Sequence, residues 1–417
     1  MISSIDEFTD YIRNYANRDL PAHNQEYRKT INDLITIDHG SYPRYINEYW
    51  TSRQRLSSSI HEISYRACFK AQLPEFFIRL FTRVGDVVYD PFGGRGTTAL
   101  EAGILERDII SNDINPLSVI LSRPRFFIPD TEEIRKRLEE IPTCHDKKVD
   151  IDLSMFYHKN TESEILSYRD WFIEKEKKGD LDYIDEWIRM IATSRLTGHS
   201  SGFFSVYTLP PNQAVSPEYQ RRINEKRGQE PQYRDTKKII LKKTKSLIRD
   251  INSKQKRILW KAGENALFLN SDARFTSSIL PCSVKLIVTS PPFLNTVQYK
   301  KDNWLRCWFN SIDAEDIGEK ITATSSIEEW RQVMGEAITE FFRVIQEGGW
   351  VAFEVGEVRN GRVRLDEEII PLGEKAGFEC CGVIINMQQF TKTSNIWGVS
   401  NNKRGTNTNR IVIFRKS

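Results

Sequence analysis

The sequence predicts an α/β chain: a mostly parallel sheet, closed by a C-terminal antiparallel hairpin and interrupted by a long, largely helical insertion. Three observations predict it. A strand, a glycine-rich turn and a helix follow one another across residues 84–103. An apolar run over residues 284–288 stops at Ser290-Pro291-Pro292. Between these stretches, residues 126–261 change character, with apolar residues at helical spacing and then a surplus of basic ones. Strand–turn–helix units build parallel sheets, because parallel neighbours need a crossover connection.

Composition sets mild bounds. A chain of 417 residues suggests roughly two to three domains of about 150 residues. Hydrophobic residues at 39% and charged residues at 28% are ordinary for a globular protein. No apolar run approaches the roughly 20 residues of a membrane span, and Met1-Ile2-Ser3-Ser4-Ile5-Asp6 lacks the basic region of a signal peptide. A cytoplasmic protein without membrane contact is the expectation. The six cysteines include no Cys-x-x-Cys pair, so neither a disulfide framework nor a metal site is expected.

Taken in order, residues 1–55 read as helical, with Phe8, Tyr11, Ile12 and Tyr15 and then Tyr42, Tyr45, Tyr49 and Trp50 as a core-facing aromatic stripe. A second amphipathic stretch spans residues 60–81. The strand that follows ends at Asp90, the turn carries Gly93, Gly94 and Gly96, and a helix opens at Thr97. Glycines there let a ligand approach the backbone. The next strand, residues 108–112, is followed by Asp113, 23 residues after Asp90, a spacing suited to a ribose diol.

Three readings of the turn compete. A P-loop wants lysine before the Thr97 position and has none. A dinucleotide fingerprint is formally met by Gly94-x-Gly96-x-x-Ala99, yet Asp90-Pro91-Phe92 would set a carboxylate against a pyrophosphate. An acid at that strand end suits a cationic ligand better.

In the insertion, Ile165, Tyr168, Trp171 and Phe172, then Ile184, Trp187, Ile188 and Ile191, give a helical core pattern. An aromatic strand or loop from Phe203 ends at Pro210-Pro211. From Arg221 to Trp260, fourteen Lys/Arg stand against four Asp/Glu. Taken alone, that run is a solvated helix face.

The strand ending at Thr289 stops because Pro291 and Pro292 cannot donate to a ladder. Ser290 and the carbonyls of Ser290 and Pro291 are left as acceptors, with the Phe293 ring beside them, a set that could hold a planar group bearing an exocyclic amine. The same pentapeptide also reads as an ordinary Pro-Pro turn. Beyond it come amphipathic helices over residues 303–309, packing on the sheet, and 327–346. A buried strand over residues 350–356 follows, and residues 380–386 with 410–415 form the closing hairpin. The amide-rich connection 397–409 is either a flexible loop or one ordered near a base or the DNA backbone.

With Asp90-Pro91-Phe92-Gly93-Gly94-Arg95-Gly96-Thr97-Thr98 and Ser290-Pro291-Pro292-Phe293 in hand, the chain resembles the S-adenosylmethionine-dependent DNA amino-methyltransferases. It is most similar to the cytosine-N4 type of prokaryotic restriction–modification systems. The resemblance covers about 85–123 and 265–355 well. It implies a Rossmann-like methyltransferase sheet that binds S-adenosyl-L-methionine through Asp90, Pro91, Phe92, Gly94, Gly96, Thr97, Thr98, Asp113 and Asp272. It implies catalysis by Ser290, Pro291, Pro292 and Phe293, where the family more often has tyrosine in the last place.

Beside such a site the basic run reads as a double-stranded DNA contact, assigned to Arg221, Arg222, Lys226, Arg227, Lys237, Lys238, Lys242 and Lys243, joined by Lys403 and Arg404. The expected division is then 1–125 (N-terminal helices and cofactor half), 126–261 (target recognition) and 262–417 (catalytic half), with a cognate restriction endonuclease as a possible partner. Adenine N6 as the target, methylation of structured RNA, a dinucleotide-dependent oxidoreductase and a non-catalytic nucleic-acid-binding protein are the alternatives. Ring-carbon methylation would need a cysteine nucleophile, and Cys282, at the wrong end of its strand, is expected to be a buried structural thiol.

Overall fold

The computed structural model describes residues 1–15, 29–38, 40–50, 57–65, 68–143, 151–209, 213–294, 299–320, 324, 326–358, 362–387 and 408–417. Nine strands form one sheet: β1 (Ile31–Ile37), β2 (Gly40–Asn47), β3 (Val87–Asp90), β4 (Asp108–Asn112), β5 (Leu267–Leu269), β6 (Val284–Thr289), β7 (Ile345–Val355), β10 (Glu379–Met387) and β11 (Thr408–Arg415). Between them β8 (Glu357–Val358) and β9 (Val363–Arg364) pair as a separate small hairpin. Across the sheet the order is β1-β2-β10-β11-β7-β6-β3-β4-β5. The block β7-β6-β3-β4-β5 is parallel throughout, and β11 runs antiparallel to both β7 and β10. This is a Rossmann-like α/β sheet, with the predicted C-terminal antiparallel hairpin in place.

Side chains alternate along each strand, as the pleat requires. Val88, Leu286, Val288, Trp350, Ala352, Ile411 and Ile413 belong to one buried cluster. Tyr89, Ile287, Val351, Phe353, Val412 and Phe414 belong to the other. The first face is covered by α1 (Ile5–Arg13), α2 (Gln72–Phe81), α3 (Thr97–Ile104), α4 (Leu117–Ser122), α5 (Thr131–Glu140) and the insertion helices. Those are α6 (Lys159–Lys178), α7 (Tyr183–Arg195), α8 (Pro217–Arg227), α9 (Thr236–Leu247) and α10 (Ser253–Asn265). After α11 (Tyr299–Phe309) and α12 (Ala314–Lys320), the long α13 (Ile327–Val344) and α14 (Leu365–Ala376) cover the second face. Trp187, Ile188 and Ile191 of the insertion pack in the same cluster as Phe77 and Leu100. The composition changes at 125 and 261 therefore fall within one continuous core.

Three expectations are corrected. Residues 31–47 are strands, not helix. Tyr42 and Tyr45 lie three apart and mimic a helical stripe, but they sit on β2, which carries Pro43 and pairs in parallel with β10, Tyr45 opposite Ile384. The helix α11 packs on the insertion rather than on the sheet. The Trp304 indole donates to the Val215 carbonyl at 3.1 Å, and Arg169 donates to the Trp308 carbonyl at 3.0 Å. Cys282 is exposed, at a positive φ of 53°, in the turn entering β6. The expected DNA contacts Lys403 and Arg404, residues 397–407 of their connection, and Pro210-Pro211 lie outside the described residues.

Candidate active site

Because β4 and β6 lie on opposite sides of β3, the chain order reverses there and a crevice opens outside the carboxyl ends of the strands. That crevice is a pocket of about 980 Å³, including space open to solvent. Its walls include Asp90, Pro91, Phe92, Gly93, Gly94 and Thr97 from the glycine turn, Asp113 after β4, Asp272 after β5, and Ser290 and Pro292 after β6. The two informative stretches of the sequence therefore meet in one cavity.

The glycine turn is tied down on every side. Gly94 (φ 52°) donates its N–H to the Asp113 carboxylate at 2.8 Å, while the other Asp113 oxygen accepts from the Asn115 N–H at 2.9 Å. Gly96 has φ 75°, and a Cβ there would stand 2.4 Å from the Ser122 Cβ, so both conformation and space demand glycine. Gly96 and Thr98 do not reach the pocket. Thr98 is buried and donates to the Val288 carbonyl at 3.2 Å, bracing the turn against β6. Asp90 is fully buried and accepts from the Thr289 hydroxyl at 2.7 Å and from the Phe92 N–H at 3.1 Å. Burial pushes its carboxyl up to about 6, against the hydrogen bonds from Thr289 and Thr98. Burial likewise raises Asp113. Two desolvated acids beside an open cavity favour a cationic or multiply hydroxylated occupant.

At the end of β6, the Pro292 carbonyl accepts from the Trp330 indole at 2.9 Å, which makes the carbonyls of Ser290 and Pro291 the better candidates to meet a ligand. The Ser290 hydroxyl hydrogen-bonds the buried carboxylate of Glu354, which also accepts from Asn409. A hydroxyl whose proton is held by a carboxylate keeps its lone pairs for an incoming donor. Phe293 is partly buried and packs against the second core cluster beside Phe92. Pro291 and Phe293 are not among the pocket-lining residues.

Sequence reasoning missed several wall residues. Tyr65, Cys68 and Phe69 line the pocket from upstream of the glycine turn, in a stretch with no motif. Arg274 was also missed. Its guanidinium grips Asp272 through Nε at 3.0 Å and Nη2 at 2.7 Å, and reaches Glu336 at 3.0 Å. Burial alone would raise Asp272, and this fork reverses it, holding the acid below its usual range. Glu354 left a readable signal: an acid inside the otherwise apolar strand Trp350–Val355.

Comparison with known proteins now bears on the site. The family described as DNA methylase matches residues 11–120, which contain the glycine turn. The type II methyltransferase M.BsoBI of Geobacillus stearothermophilus is 26% identical over 289 residues, 63% of this chain and 55% of that protein. The type II methyltransferase M.PvuII of Proteus hauseri is 48% identical over 60 residues, 14% of this chain and 18% of that one. Over these stretches the chain is similar to DNA methylases.

The chain spans about half the length of M.BsoBI and less of M.PvuII. Among solved structures, the rRNA methyltransferase aviRa of Streptomyces viridochromogenes matches at 10% identity and a TM-score of 0.35, covering 88% of this chain and 94% of that one. A TehB-like SAM-dependent methyltransferase of Corynebacterium glutamicum matches at 8% identity and 0.29, covering 82% and 87%. The pocket fits S-adenosyl-L-methionine: a buried acid at Asp90 for positive charge, open backbone at Gly94, and carboxylates at Asp113 and Asp272 facing the same space. Among the described residues no cluster of His, Cys, Asp and Glu could hold a metal, and no helix is long and apolar enough to cross a membrane.

The expected DNA contacts lie on α8 and α9. Arg222, Lys226 and Lys242 are exposed, Arg221 pairs with Asp152 at 2.9 Å, and Lys238 pairs with Asp235 at 2.9 Å. Arg227 stacks on the Tyr207 ring at 3.8 Å. Lys237 and Lys243 are half-buried.

Proposed function

We propose that this chain methylates the exocyclic N4 amine of a cytosine everted from duplex DNA, as the modification enzyme of a restriction–modification system acting beside a cognate endonuclease in the cytoplasm. One observation carries the reading: Asp90, Asp113 and Ser290 line a single cavity, so a sulfonium donor and an amine acceptor could share it. S-adenosyl-L-methionine would supply an electrophilic methyl group.

The residues would divide the task as follows. Asp90, Pro91, Phe92, Gly94, Thr97, Asp113 and Asp272 hold the donor, with Gly96 and Thr98 shaping the turn. Ser290 and the Pro291 carbonyl accept the two amine N–H bonds, which localises the nitrogen lone pair and aims it at the methyl group. Glu354 orients the Ser290 hydroxyl, and Pro291 and Pro292 keep the strand end rigid. Phe293 supplies an aromatic face to the base. Alignment of this kind is worth on the order of 7–11 kcal/mol of barrier, while eversion of the base costs a few kcal/mol. Residues 126–261, through α8 and α9, would contact the DNA, and the serine in the first position of the Ser-Pro-Pro motif favours cytosine over adenine.

The test is direct. Plasmid DNA is incubated with the protein and isotope-labelled cofactor, digested to nucleosides, and the labelled nucleoside identified. N4-methylcytosine is expected. Label in N6-methyladenine would keep the enzyme and change the base, and no label in DNA would overturn the reading.

A further inference from the structure

Several basic residues around the insertion have acidic partners: Arg249 with Glu62, Lys256 with Asp130, Arg221 with Asp152 and Lys238 with Asp235. Two cations at the seam where α7 packs on α9, Lys243 and Arg195, have no such partner among the described residues. Lys243, half-buried on α9, has neither a hydrogen-bond nor a carboxylate partner among the described residues. Burial, with Arg195 next, pushes its ammonium down to about 8, against the pull of Glu62, which is itself held by Arg249.

Arg195, buried at the end of α7, stacks on the Phe203 ring at 4.0 Å and donates through Nε to the Ser194 carbonyl at 2.9 Å. No carboxylate meets its guanidinium among the described residues. Arg125 is fully buried behind them and donates to the carbonyls of Leu121 at 2.9 Å, Ile60 at 3.2 Å and Arg95. Burying cations without counter-ions is costly, and an anion seated between Lys243 and Arg195 would offset that cost.

The seam leads to the active site. Along one short segment, Ile60 accepts from Arg125, the Ile63 carbonyl accepts from Arg95 at 3.0 Å, and the Ser64 carbonyl accepts from Arg306 at 3.1 Å. Tyr65, next in line, is a wall of the pocket. Five residue steps of chain span at most about 17 Å.

We propose that Lys243 and Arg195, backed by Arg125, form a site for a backbone phosphate of the DNA strand that delivers its nucleotide to the pocket. The inference rests on the reading that the substrate is DNA, and it assigns the tight contact to the buried cations of the seam rather than to the exposed ones of α8.

The test uses the full chain. Binding to a short duplex of arbitrary sequence is titrated across a range of salt concentrations for the natural protein, Lys243→Met and Lys243→Arg. One lost phosphate contact makes the slope of log affinity against log salt shallower by about 0.9. That loss is expected in Lys243→Met and not in Lys243→Arg, with the melting shift caused by S-adenosyl-L-methionine unchanged in both as a check on folding. An unaltered slope in Lys243→Met overturns the site. Millimolar inorganic phosphate is the second arm. If it raises the melting temperature in a Lys243-dependent way while the duplex slope stays unaltered, the site takes a free anion and the DNA assignment falls. Because the slope is read on any duplex, it is decided whether or not the plasmid experiment finds a methylated nucleoside.

Discussion

The glycine turn and the proline stop line the same pocket from neighbouring strand ends, yet they are held by different means. The turn is shaped by missing side chains and by carboxylates that accept backbone N–H groups: Gly94 onto Asp113, Phe92 onto Asp90. The stop is shaped by ring constraint at Pro291 and Pro292 and by partners that occupy its spare groups, Trp330 on the Pro292 carbonyl and Glu354 on the Ser290 hydroxyl. One wall therefore presents buried negative charge and open backbone. The other presents neutral acceptors of fixed direction. A pocket with a charged side and a neutral, directional side suits two reactants of different character, and its two walls should fail separately when altered.

The largest effect is expected at the turn. Gly96→Ala must place a Cβ 2.4 Å from the Ser122 Cβ at φ 75°, combining a left-handed penalty of roughly 1–2 kcal/mol with an overpacking penalty of about 1–3 kcal/mol. Thermal unfolding should show a marked drop in melting temperature, and added S-adenosyl-L-methionine should no longer raise it. A variant that melts like the natural protein and still responds to the cofactor would show that the turn is not the donor's cradle.

Next in size is the acceptor wall. Ser290→Ala removes a positioned hydrogen-bonding group, and losses of this kind cost about 10²–10³ in turnover. The cofactor-induced melting shift should stay as it was, because the Ser290 hydroxyl is tied to Glu354 and not to Asp90 or Asp113. Full methyl transfer by this variant, measured on plasmid DNA, would remove Ser290 from the chemistry. Loss of cofactor response along with turnover would mean that the two walls are one unit.

How much of this was legible in the sequence follows from the range of the interactions. The strands β3, β4, β6 and β7 announce themselves through local pattern: short apolar runs ended by Asp90, Asp113, Ser290-Pro291 and Gly356. β1 and β2 do not, since the tyrosine spacing of β2 mimics a helix and what ties their hairpin to the sheet is pairing with β10, more than three hundred residues away, at Tyr45 opposite Ile384. Tyr65, Cys68 and Phe69 reach the pocket only because residues 58–64 are pinned along the seam by Asp250, Arg125, Glu101 and Arg95, contacts without a local signature. The basic run was visible as composition, but Lys242 and Lys243 look alike in sequence. One is exposed and the other half-buried beside Arg195 because α9 turns one face toward α7.

The smallest effect, and the one that separates the walls most cleanly, lies in pH. In the free protein, burial has raised the Asp90 carboxyl from 3.8 to about 6, so the fold holds a proton there that an unfolded chain would release. By linkage, Asp90 contributes stability at acid pH that is lost as pH rises through about 6. A cationic donor requires the ionised form, so its binding below pH 6 must expel that proton, and its affinity should fall up to tenfold per unit of acidification. The two trends run in opposite directions. Calorimetric titration of S-adenosyl-L-methionine between pH 5 and 8 should show proton release growing toward pH 5. Asp90→Asn should bind more weakly at pH 8 but with little dependence on pH. The Ser290 wall carries no such charge toward the donor, so Ser290→Ala should keep the natural pH profile of cofactor binding. A pH-independent affinity in the natural protein would mean that Asp90 does not face the positive charge, and the division of the pocket into a charged and a neutral wall would have to be redrawn around Asp113.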